Sequence, residues 1–276
     1  MSACRVKMNM MKIKTLAASA VVALAVATAG CGSQMDMGRL GSALQKGSQA
    51  MSLSNAQVQQ YVRSAVQQMD AQNKVAPASS AYTKRLNKLT SNMKSINGTP
   101  LNFKVYVTDD INAFACADGS VRVYTGIMDM MTDDELLGII GHEIGHVANE
   151  DSKDAFKQAL INSALSDAIG AADSRVAALT DGQLGQLAQG LVSAKYSRKQ
   201  EAEADDYGYD FLKASGVNPY NMVLAFEKMQ ALESKSGQRA SGALANAFSD
   251  HPDTAGRIKA MKARCAKDGF SRPKGK

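Results

Sequence analysis

The chain has 276 residues, of which 45% are hydrophobic and 21% charged. That balance excludes a disordered chain and an integral membrane bundle, and the length suffices for a core without covalent staples. There is no Trp, with seven Phe and eight Tyr, too few for platforms that stack nucleobases along a strand. Four Cys do not make a disulfide scaffold. The formal net charge is +6, but residues 1–30 hold Arg5, Lys7, Lys12 and Lys14 and no acid. Without them the charge is +2. Nothing in the remainder argues for a nucleic-acid partner.

In chain order, Lys12 and Lys14 precede an apolar stretch from Leu16 to Ala27, the length of a signal-peptide core and short for a membrane span. Thr28-Ala29-Gly30-Cys31 follows and resembles the lipobox of bacterial lipoproteins, with Thr28 where Leu is usual. The expectation is a signal peptide over 1–30, a diacylglycerol anchor on Cys31 and a tether over 31–50. Gly32 after the Cys, in place of Asp, favours the outer membrane, with the protein on the periplasmic side. No second apolar run of spanning length occurs, so the lipid would be the sole membrane contact. Export would leave Cys116 and Cys265 in an oxidising compartment, either paired or as separate buried thiols.

Residues 51–276 read as one domain. Ser54 can cap a helix to about Gln72, carrying Val58, Val62, Ala65, Val66 and Met69 at helical spacing. Pro77 breaks it, and a second helix is expected from about Ser80 to Met93. Phe103, Val105 and Val107, then Val121, Val123 and Thr125, alternate with polar neighbours and predict two short strands. Thr132 to Glu135 forms a capping box for a largely buried helix to about Ala148. The stretch 160–192 is low in charge, and turns are expected at Gly170, Asp181-Gly182 and Gly185. A long helix from about Gln186 to Ala214 is predicted, then helices over 220–233 and 253–266 around a polar loop at 234–243. No internal repeat is visible. The fold class is α+β, predominantly helical, with a small sheet beside the helix that ends near Ala148.

That helix carries Gly141-His142-Glu143-Ile144-Gly145-His146. Two His at i and i+4 share one face and can hold a single Zn²⁺. Glu143, one position along, can reach a water at the metal as general base. With three His in the chain, a chance match is on the order of one in a thousand. A catalytic zinc needs a third protein ligand. Position 149 is Asn and position 152 is Ser, so a third His on an extended version of this motif is excluded. Glu201 and Asp205 are i and i+4 on a later helix. Glu201 can bind the metal while Asp205 accepts the N–H of a ligand imidazole. The remaining His is His251.

The pair of motifs, H-E-x-x-H and then Glu201-Ala202-Glu203-Ala204-Asp205, resembles the gluzincin metallopeptidases related to HtpX and to the CAAX proteases. The likeness extends to Asn112-Ala113-Phe114 ahead of a strand, to Gly126, and to Ser249-Asp250-His251-Pro252 with Arg257, over roughly residues 82–270. It implies a zincin fold and a zinc endopeptidase of envelope protein quality control. In it, His142, His146 and Glu201 are ligands, Glu143 is the base, and unfolded proteins or peptides are the substrates. It further implies that His251 caps the metal at rest or stabilises the oxyanion, and that Arg257 steadies the oxyanion or a carboxylate. Asn112, Ala113 and Phe114 would hold an extended peptide by main-chain bonds. The 160–192 stretch is the candidate lid, and envelope assembly proteins are candidate partners. The rival reading is a non-catalytic envelope lipoprotein whose zinc site is closed by a fourth ligand.

Overall fold

The computed structural model describes residues 53–162, 179–236 and 251–274. The signal peptide, Cys31, the tether, Gly170 and Ser249-Asp250 lie outside the described residues. The elements are α1 (Asn55–Gln72), α2 (Ala81–Leu89), β1 (Ser95–Ile96), β2 (Thr99–Pro100), β3 (Asn102–Tyr106), β4 (Ala113–Ala115), β5 (Ser120–Tyr124), α3 (Thr125–Met130), α4 (Asp133–Ala148), α5 (Asp151–Asn162), α6 (Asp181–Val192), α7 (Arg198–Ala214), α8 (Tyr220–Ser236) and α9 (Thr254–Lys267). The class is α+β and predominantly helical. No helix of the described residues is long and apolar enough to cross a membrane.

The main sheet has the order β3-β5-β4. β3 pairs parallel with β5, and β4 pairs antiparallel with its other side. Both faces are covered, and the two-residue side-chain period sorts the core accordingly. Val105, Ala113, Ala115, Val121 and Val123 face a cluster with Leu136, Ile140, Leu212 and Phe226 of α4, α7 and α8. Tyr106, Phe114 and Cys116 face a second cluster with Val62, Val66, Phe156 and Leu187 of α1, α5 and α6. Cys116 and Cys265 fall in different clusters, and both are buried free thiols.

The α4 start follows its sequence: Glu135 N–H donates to Thr132 Oγ1 at 3.4 Å and Thr132 N–H to Glu135 Oε2 at 2.8 Å. Lys228 of α8 adds a third contact to the same carboxylate at 2.6 Å. α7 crosses α4 closely. A Cβ on Gly145 would meet Ala204 Cα and O at 3.0 Å, and one on Gly208 would meet His142 N at 3.0 Å. These two glycines bring Glu201 and Asp205 up against the histidines.

Four predicted boundaries need correction. The helix expected over 186–214 is two helices, separated at 193–197, because Ser197 and Gln200 form their own capping box and start α7 afresh. Asp181-Gly182 and Gly185 are not turns but part of α6. Thr180 and Gln183 cap that helix, and packing of Leu187, Ala188 and Leu191 overrides the weak helix propensity of Gly. The lid candidate therefore retains only its part outside the described residues. Thr125 begins α3 rather than ending a strand, and its hydroxyl donates to Thr108 O at 2.7 Å. α2 stops at Leu89 instead of Met93, with Thr90 at its C-cap.

Candidate metal centre

His142 and His146 lie one turn apart on α4, exposed by only 2% and 0%. Each has its Nδ1 on a carboxylate: His142 on Asp205 Oδ1 at 2.9 Å, and His146 on Asp151 Oδ2 at 2.9 Å. With N–H at Nδ1 toward those carboxylates, Nε2 of each ring is left for the site. The two Nε2 atoms face each other at 3.2 Å, a distance at which a proton or a metal cation must lie between them.

Glu201 completes the face from α7. Its Oε1 is 3.6 Å from His146 Nε2 and its Oε2 is 3.6 Å from His142 Nε2. His251 brings Nδ1 to 2.9 Å from Glu201 Oε1 and 3.3 Å from His142 Nε2. One donor atom from each of the four residues falls within 4.8 Å of all the others. Tetrahedral donors about 2.0–2.1 Å from zinc stand about 3.3 Å from one another, so the spacing fits that ion. Glu201 Oε2 is buried without a hydrogen bond. Arg257 Nη1 lies 2.7 Å from it as an ion pair, not aligned as a donor. A carboxylate oxygen without a hydrogen bond, balanced by Arg257 and set beside imidazole nitrogens, suits a bound cation. A zinc ion fits these residues.

The electrostatics divide by position. Burial and the nearby Arg257 hold His142 well below 6.5. Burial also pushes His146 down, but hydrogen bonds with Asp151 and Glu201 outweigh it and raise that imidazole to about 9. Burial would raise Glu201, yet its hydrogen bonds to His146 and His251 and the charge of Arg257 hold it far below the usual carboxylate range. Glu143 moves the other way: burial raises it, with only partial relief from His251 and His146.

The structure brings the other sequence candidates to the same place, with distinct contacts. Glu143 Oε1 is 3.7 Å from His251 Nε2, so His251 stands between the carboxylates of Glu143 and Glu201. Arg257 is buried and grips Asp205 with two bonds, Nε at 2.9 Å and Nη2 at 2.6 Å, while stacking over Phe226 at 4.4 Å. The same guanidinium lies 3.3 Å from His142 Nδ1 and also borders the cavity beside Glu143 and His251. Asn112 and Ala113 border a cavity of about 20 Å³ with Ile139, Glu143, Phe226, Met229 and His251. Phe114 points to the opposite face of the sheet, against Tyr106 and Tyr124.

Three neighbours of the site escaped the sequence reading. Asp151 is five residues past His146, beyond helical spacing. It reaches back because the chain reverses at Glu150, whose φ is 64°. Ser152 donates to Ala115 O at 3.0 Å. Tyr196 sits in the α6–α7 break and stacks on His146, with centroids 3.8 Å apart and planes 12° apart. Only Asp151 carried any signal, as an acid just downstream of the ligand helix.

Comparison with known proteins agrees with this geometry. The profile of peptidase family M48 matches residues 52–265. The chain is 43% identical over 262 residues to metalloprotease LoiP of Escherichia coli K12, covering 94% of this chain and 100% of that protein. It is 41% identical to metalloprotease YcaL of the same organism, over 79% of this chain and 83% of that one. A β-barrel assembly-enhancing protease of Escherichia coli O157:H7 is 30% identical over 51% of this chain and 30% of its own length. The chain belongs to peptidase family M48 and is a zinc metalloendopeptidase.

Proposed function

We propose that this peptidase hydrolyses unfolded or misassembled proteins of the cell envelope, with Glu143 as general base and the edge of β4, which no other strand of the described residues pairs with, as the seat of the substrate backbone. The observation that carries it is one cavity lined by Glu143, Ala113 and two residues of the four-donor cluster, His142 and His251. His142, His146 and Glu201 would hold the zinc. Bound there, zinc supplies Lewis acidity toward a peptide carbonyl and acidifies an adjacent water.

Glu143 takes the proton of the attacking water and delivers it to the amine as the C–N bond breaks. Its raised pKa suits both halves of that transfer. Tyr124 N–H donates to Asn112 O, and Cys116 N–H to Ser120 O. This phase turns the backbone groups of residues 112, 114 and 116 toward β5 and those of Ala113 and Ala115 outward. A peptide added at Ala113 is held through its backbone, which suits clients of varied sequence. Asp205 and Asp151 orient the two imidazoles, and Arg257 keeps Asp205 and Glu201 in place.

His251 supplies a fourth donor, and the cavity of about 20 Å³ holds little more than one water. That favours a resting arrangement from which His251 withdraws before a peptide enters. The signal-peptide pattern and Cys31 support a lipid-anchored periplasmic protein at the outer membrane. The name of the β-barrel assembly-enhancing relative supports envelope assembly proteins as clients or partners.

The test is Glu143→Gln in the purified mature protein. Zinc content should stay at one per chain while cleavage of casein falls about 10²–10⁴-fold. Unchanged cleavage would remove Glu143 from the mechanism.

A further inference from the structure

The two α4 histidines are restrained differently. His142 has Asp205 at Nδ1, and the edges of its ring meet Phe226, His146 and His251 at steep angles of 66–86°. His146 has Asp151 at Nδ1 and, on its flat face, the ring of Tyr196. A single hydrogen bond fixes the direction of Nε2 but leaves the ring plane free to tilt about that bond. A parallel ring at 3.8 Å removes the tilt.

Asp151, whose carboxylate holds His146, stands at the start of α5, and its neighbour Ser152 donates to Ala115 O at 3.0 Å, so that turn is tied to β4.

Taking His146 as a metal ligand, we propose that Tyr196 is a positioning residue: its ring fixes the plane of the His146 imidazole. The residue has no place in either sequence motif. It reaches the site from the five-residue break between α6 and α7.

The experiment compares Tyr196→Phe with Tyr196→Leu in the full mature chain. The readouts are zinc affinity by competition with a chromogenic chelator and the visible spectrum of the Co²⁺-substituted protein. Tyr196→Phe keeps the planar face and should bind zinc within about two-fold of the parent, with an unchanged Co²⁺ spectrum. Tyr196→Leu keeps apolar bulk without the face. It should lose about 10-fold in zinc affinity, at the lower end of what loss of a ligand-orienting neighbour costs, and its Co²⁺ bands should shift. Equal affinities and superimposable spectra for Leu and parent would overturn the proposal. So would a Phe variant as impaired as Leu, which would move the role to the hydroxyl. Should the Leu variant not fold, Tyr196→Trp tests the same point, since a larger planar face should preserve the Co²⁺ spectrum and a shifted one would overturn the stack. His146→Gln is the reference: retention of full zinc affinity there would sink the ligand assignment, independently of Tyr196.

Discussion

Two buried charge clusters lie on opposite faces of the small sheet, and they are built on opposite logic. On one face, Asp70 of α1 receives Arg122 Nε at 2.8 Å, Arg122 Nη2 at 3.0 Å, Lys104 Nζ at 2.7 Å and the Tyr106 hydroxyl at 2.8 Å. The remaining Arg122 nitrogen donates to Asn102 O at 3.1 Å. Donors meet acceptors throughout, and the cluster closes on itself. On the other face, ring nitrogens of three imidazoles and a carboxylate converge, and Glu201 Oε2 has no hydrogen bond, only the charge of Arg257 beside it. Burying polar groups is costly unless they are paired. The first cluster meets that demand from within and docks a helix. The second meets it only in part from within, through Arg257, and a bound cation would complete it. Saturation separates the structural cluster from the functional one, although both contain buried charge.

The sharpest way to break this comparison is to remove the anionic donor. Glu201→Gln should yield a folded protein that loses zinc on dialysis and has no detectable casein cleavage, because two neutral imidazoles and an amide hold a divalent cation poorly. Full zinc occupancy in that variant would mean that His251 or another group is the third ligand. The next effect falls on the opposite face. Asp70→Ala leaves Arg122, whose side chain is 2% exposed, without its carboxylate. Breaking such a pair from one side costs about 3–5 kcal/mol, measurable as a lower urea midpoint, while zinc content per folded molecule stays at one. A loss of zinc equal to that of Glu201→Gln would erase the distinction between the clusters.

How much of this was legible beforehand depends on periodicity. The four side chains of the candidate metal centre on α4 and α7 were readable because helices put i and i+4 on one face; His142 with His146 stands out by spacing, while Glu201 with Asp205 is a weak signal that gains weight only because the histidine helix lacks a third ligand. The capping box at Thr132 and the strands around Val105 and Val121 were readable for the same kind of reason. Contacts made across turns were not. Asp151 lies past a reversal at a positive-φ residue, and Tyr196 lies in a break that a single long helix was expected to span. Helix propensity favoured continuity through Ala194, and the capping signal at Ser197 and Gln200 was present but outweighed. Gly182 and Gly185 read as turn residues because propensity is local, whereas α6 is held by Leu187 and Leu191 packing on α1 and α5. Arg122 gave no sign of its partner, since Asp70 is 52 residues away and on a different element. The fate of the two Cys also depended on distance, which no spacing encodes.

The smallest effect concerns acid, and it separates the clusters by sign. Burial alone would raise Asp70, but hydrogen bonds from Arg122, Lys104 and Tyr106 bring it below 3.8. A carboxylate depressed in the fold contributes stability that is complete above its unfolded value and lost as pH falls through its folded one. Asp70 therefore keeps docking α1 down to pH values below about 4. Glu143 is raised above 4.5, chiefly by burial, so its base form is lost at higher pH than that of an ordinary glutamate. The acid limb of activity should lie above the acid limb of stability. Between them the protein should be folded and inactive, and should recover fully on return to neutral pH. Circular dichroism, zinc content and casein cleavage followed together from pH 7 downward test this order. Zinc leaving ahead of the activity loss would assign the limb to protonation of the ligands rather than of Glu143. Unfolding that coincides with the activity loss would show that the Asp70 cluster gives way as early as the metal face. In Asp70→Asn the stability limb should lose its dependence on this carboxylate, while the activity limb stays where it was.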